Sequence, residues 1–128
     1  NGIKVSTYNI IGMPGMDRDH ILKTIDLNRE AGADSSTITC FMPFPDDEMT
    51  KYLIKHGLLD PSDIKIILGG SEPAVDIEEM SFQEIQGLYN TFNLYIQLPR
   101  VMFPFIRLLE FSNPVTDFIR RWLYKALS

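Results

Sequence analysis

The sequence predicts an α/β fold with its strands at the front: two parallel βα units, then an all-helical C-terminal region. Three observations predict it. The runs Ile3 to Ile11 and Ser36 to Met42 are rich in β-branched and aromatic residues, as strands are. A glycine/proline loop and a cappable helical stretch lie between them, and strand, helix, strand in that order makes a parallel pair through a crossover. From Ser81 onward the apolar residues recur at helical spacing, with no further strand-like run.

The first strand shows no clean alternation between apolar and polar positions, which predicts burial on both faces as in parallel sheets. Gly12-Met13-Pro14-Gly15 then forces a tight loop. Asp17 or Asp19 can cap a helix to about Ala31, with Ile21, Leu22, Ile25 and Leu27 as its apolar positions and Gly32 as its stop. After the second strand, Pro43-Phe44-Pro45-Asp46-Asp47 opens a short helix carrying Met49, Tyr52, Leu53 and Ile54, stopped by Gly57. Leu58 to Asp76 reads mostly as loop around the apolar run Ile64 to Leu68. Ser81 with Glu84 forms a capping-box pair that starts a long helix to about Leu98. Pro99 and Pro104 break the chain before a short helix near Phe105 to Phe111. Asn113-Pro114 caps a last helix to Leu127, with Val115, Phe118, Ile119, Trp122 and Leu123 on one face.

With 128 residues, 45% hydrophobic and 23% charged, the chain has the composition of an ordinary globular domain. A net charge of -5 argues against nucleic acid as a partner, since phosphate binding needs clustered Lys and Arg. No apolar run approaches the roughly 20 residues of a membrane span, and the start has no signal-peptide pattern. The single Cys40 excludes an internal disulfide and a cysteine-only metal cage, and a cytoplasmic location is the expectation. Two strands alone make no stable sheet, so their edges are expected to seek the upstream remainder of the same polypeptide or a second copy. The absence of an initiator Met fits that expectation of a longer protein.

The run Ser6-Thr7-Tyr8-Asn9-Ile10-Ile11-Gly12-Met13-Pro14-Gly15 resembles the fifth-strand motif of radical S-adenosylmethionine (SAM) enzymes of the cobalamin-binding branch. Phe41-Met42-Pro43-Phe44-Pro45 resembles their sixth strand and its exit, and His56 to Leu59 and Leu98-Pro99-Arg100 resemble segments that follow. The resemblance implies that residues 1–60 end a partial (β/α)6 TIM-like barrel and that 61–128 form a helical extension. It implies an Fe–S oxidoreductase or methyltransferase, in which this part supplies the adenine side of the SAM pocket and a substrate-facing helical region. It also implies SAM, a [4Fe–4S] cluster and, in the same branch, cobalamin as cofactors of the full-length protein. Carried over residue by residue, Tyr8, Asn9, Ile10, Gly12, Thr39 and Phe41 would lie at the cofactor, with Ile10 on the adenine and the backbone of 39–41 lining its pocket. The sequence departs from the motif at Met16, where Glu is common, and at Asp46-Asp47, where Gly-Thr is common. It holds no Cys-x-x-x-Cys-x-x-Cys, so these residues alone are expected to be inactive, with no catalytic or metal-binding residue and no cofactor of their own.

Plainer readings stand beside these. Cys40 reads as a packed thiol, His20 and His56 as helix-surface residues, and Asp46, Asp47 and Glu48 as an acidic first turn suited to a helix dipole. Glu72, Asp76, Glu78 and Glu79 read as a solvated face. The Gly12 loop lacks the Lys and Ser/Thr of a phosphate-binding loop. The aromatic stripe from Phe82 to Tyr95, with Phe103, Phe105, Phe111, Phe118 and Trp122, reads as core between helices or as a wall for a greasy substrate. A non-enzymatic α/β scaffold or partner-binding module is the competing function.

Overall fold

A computed structural model describes residues 2–44, 46–63, 73 and 77–127. Strand β1 (Ser6–Ile11) and strand β2 (Ser35–Cys40) pair in parallel, Ser6 opposite Ser35 through Ile11 opposite Cys40. Helix α1 (Arg18–Ala31) joins them. Helix α2 (Glu48–Lys55), a 3-10 turn (Pro61–Asp63) and helix α3 (Phe82–Gln97) follow; then come a 3-10 turn (Arg100–Met102), α4 (Phe103–Leu109) and α5 (Pro114–Leu127). Among the described residues the chain is thus mixed α/β, with one two-stranded parallel sheet and five α-helices. None of those helices is long and apolar enough to cross a membrane. The expected run Ile64 to Leu68, Pro45 of the second motif, and Glu72 and Asp76 lie outside the described residues.

Local chemistry sets the helix boundaries. Asp17 accepts the His20 amide at 3.0 Å, and His20 Nδ1 lies 3.3 Å from the Asp17 amide, a capping box that starts α1. Gly32, in the left-handed region at φ 63°, ends it. Ser81 accepts the Glu84 amide at 3.1 Å and starts α3. Asn113 and Thr116 cap α5 reciprocally, at 2.9 and 3.0 Å. Pro104 does not break the chain as expected. It sits in the first turn of α4, where its missing N–H would have no helical partner anyway.

The core joins both halves of the sequence. Ile11, Ile21, Ile25 and Cys40 from the first half pack with Met80, Ile85, Leu88, Phe92, Leu94, Tyr95, Ile106 and Leu109. Burying a side chain the size of Leu or Phe contributes about 1.5–3 kcal/mol, so α3, which supplies five of these residues, is the central element.

The first strand departs from expectation. It begins at Ser6 rather than Ile3, and its burial alternates instead of covering both faces. Thr7, Asn9 and Ile11 face the helices, whereas Tyr8 is 83% exposed and Ile10 53%. The reason is architectural: α1 and α3 lie against the sheet, and in a two-stranded sheet they cover one face only. The expected last stripe also divides. Ile119 and Leu123 pack on the core, while Val115, Phe118 and Trp122 face outward.

Candidate functional site

Two places gather functional chemistry. The first is the open sheet face at the C-terminal ends of the strands. Register pairs Ile10 with Thr39 and Tyr8 with Thr37, and parallel partners project to the same side. Tyr8, Ile10 and Thr39 are therefore brought together on one exposed surface, shared with the hydroxyl side chains of Ser6, Ser35 and Thr37. Beyond it the Phe41 amide donates to the Ile11 carbonyl at 2.7 Å, which carries the ladder into the loops.

Gly12 follows at φ 78°, a left-handed backbone that a side chain rarely adopts. A Cβ there would meet Ile85 Cγ2 of α3 at 3.4 Å, an ordinary contact, so the backbone angle and not lack of space calls for glycine. Phe41 turns its ring away from the open face into a small cluster with Leu53 and Leu59, leaving its backbone to line the strand end.

Asn9 stands on the helix-facing side instead. Its Oδ1 accepts from Asn28 Nδ2 at 2.9 Å, and its own amide reaches the Thr37 carbonyl at 3.3 Å. Thr7 donates to Asn28 Oδ1, and Ser36 donates to the same oxygen at 3.2 Å. Asn28 is buried, so this polar cluster satisfies an amide that would otherwise cost about 1–3 kcal/mol to bury. Asn9 thus orients strand against helix. The sequence reading did not bring Thr7, Ser36 and Asn28 together, because nothing local in the chain links a helix asparagine to two strand hydroxyls.

The second place is a groove of about 610 Å³ between the start of α3, α4 and the α4–α5 turn, with Phe82, Gly87, Asn90, Arg107 and Phe111 in its wall. At its floor Arg18 donates to both oxygens of Glu110, at 3.0 and 2.7 Å, and lies 3.6 Å from Glu84. Tyr95 donates to Glu110 Oε1 at 2.6 Å. Hydrogen bonding to Glu110 raises the Arg18 guanidinium above its ordinary range. Burial, then the bond to Glu110, raises the Tyr95 phenol well above its own. Glu110 accepts three hydrogen bonds, two from a bidentate arginine and one from a phenol, so this triad ties α1, α3 and the end of α4 together.

Among the described residues no group of three or more His, Cys, Asp or Glu is placed to hold a metal ion. Cys40 is buried beside Ile11 in the sheet register. His20 belongs to the α1 cap, and His56 stacks on Tyr52 at 4.1 Å between ring centres. One cysteine cannot supply a cluster's thiolates, so these residues do not fit a [4Fe–4S] centre. The open face suits a flat apolar group better: Ile10 and Thr39 side by side, with a glycine loop next to them. Comparisons with protein-family models, with curated proteins and with solved structures return no match for this chain.

Proposed function

We propose that the chain is the distal wall of a radical SAM partial barrel of the cobalamin-binding type, an Fe–S oxidoreductase or methyltransferase. The observation that carries the reading is the one-sided sheet: two parallel strands with α1 and α3 on one face and an opposite face that leaves Tyr8 and Ile10 exposed. In a (β/α) barrel the crossover helices lie outside and the other face of each strand is the interior. On this reading Ile10 and Thr39 pack against the adenine of SAM and the backbone of 39–41 borders it, while Asn9 fixes the strand on α1. The cluster, and cobalamin where it is used, would be held by residues outside this sequence, and no step of the chemistry is assigned to residues within it.

The test is anaerobic purification of the product of the native reading frame. An iron–sulfur chromophore with SAM cleavage is the expected result, and Ile10→Ala in that product should weaken SAM binding. A product without iron that does not bind SAM would leave the α/β unit as a non-enzymatic scaffold.

A further inference from the structure

The sheet and the groove leave an apolar stripe on α5 unexplained. Val115, Phe118 and Trp122 recur at helical spacing and are 67%, 70% and 62% exposed, and Phe111 of the groove wall, 67% exposed, continues the spacing before the helix. Leu108, at the end of α4, adds a fifth exposed side chain next to them in sequence. The opposite side of α5 is the packed one: Arg120 is buried, and Tyr124 donates to the Asn90 carbonyl at 2.6 Å. At 3.6 residues per turn, Arg121 and Lys125 fall on one flank of the apolar stripe, both exposed. Arg107, exposed on α4, adds a third positive charge to the same part of the chain.

Charge divides the molecule at this point. Residues 1–99 hold seven Lys and Arg against fifteen Asp and Glu; residues 100–128 hold five against two. An acidic protein thus presents a basic region beside an exposed aromatic stripe. A helix with Trp and Phe on one face, and Arg and Lys at the margin, is the pattern of an element lying in a membrane interface. The surplus of Lys and Arg over Asp and Glu in this part of the chain favours an anionic surface over a second copy, which would bring two such surpluses together.

We infer that the outer face of α5, with the end of α4, docks on an anionic lipid surface, its aromatic residues in the interface and its basic flank on the headgroups. The element lies on the bilayer and does not span it. The inference is independent of the barrel assignment.

Trp122 is the only tryptophan, so its emission reads the proposed contact directly. With the full chain and phosphatidylcholine–phosphatidylglycerol vesicles, the expected result is a blue shift that bromine on the acyl chains quenches. Arg121→Gln should weaken binding about five-fold. Phe118→Ser, at a solvent-exposed position that leaves the circular dichroism unchanged, should weaken it about tenfold or more. Unchanged emission with these vesicles overturns the proposal, as does equal affinity for pure phosphatidylcholine. A blue shift that grows with protein concentration in buffer alone assigns the face to a second copy and overturns it as well.

Discussion

At the scale of single residues, close helix packing in this molecule turns on Gly87. A Cβ built there would stand 2.6 Å from the Glu110 carbonyl oxygen and 2.9 Å from Glu110 Cβ. Alanine is ordinarily the better helix former by about 1 kcal/mol. Overpacking against a backbone atom costs about 1–3 kcal/mol and also disturbs the residue that holds Arg18 and Tyr95. The clash wins, so Gly87→Ala should lower stability by about 1–2 kcal/mol, read as a drop in melting temperature. A higher melting temperature would mean that α3 and α4 sit further apart than described. Arginines act at the same scale as helix terminators. Arg29 donates to the carbonyls of Tyr95, Ile96 and Leu98 at 2.6, 3.0 and 2.7 Å, closing the end of α3, and Arg120 does the same for Leu109 at 2.7 Å. Nothing local in the sequence marks these two arginines, because each serves a helix end distant in the chain.

At the scale of elements, α5 is held to α3 by few ties, and Tyr124 is one of them. Desolvation by burial pushes its phenol up from 10.0 to about 12. A phenol raised in the folded state contributes stability that is complete below its ordinary value and is lost as pH rises through the folded one. Stability should therefore fall between pH 10 and about 12, and Tyr124→Phe should flatten that fall; denaturant titrations at several alkaline pH values measure it. A variant as alkali-sensitive as the parent would free Tyr124 from that role. The helices themselves were legible in the sequence because their caps are local: Asp17, Ser81 and Asn113 all stand where the expected boundaries put them. The side each helix buries was less legible. Val115, Phe118 and Ile119 carry the same apolar signal, yet only Ile119 meets the core, since α4 and α3 cover one side of α5. Periodicity finds a stripe and cannot say which part of it has a partner.

At the scale of the whole molecule, the β1–α1–β2 unit was legible from order alone, and the one-sidedness of its sheet was not. Expecting burial on both faces assumed neighbours that a two-stranded sheet does not have. The candidate site divides along the same line. Tyr8, Ile10 and Thr39 gather on the open face, Asn9 is drawn into the Asn28 cluster, and the Phe41 ring turns toward Leu53. Among the described residues this face, with Tyr8 and Ile10 exposed on it, is bordered by strand edges that pair with no third strand. The account's central claim is that this face is the interior of a larger barrel. Tyr8 tests it most directly, because a tyrosine 83% exposed here would lie inside the closed barrel. Its rate of chemical acetylation, mapped by mass spectrometry, can be compared between this 128-residue chain and the product of the native reading frame. The account predicts fast modification of Tyr8 in the chain alone and marked protection in the full product. Equal rates in the two proteins would contradict it.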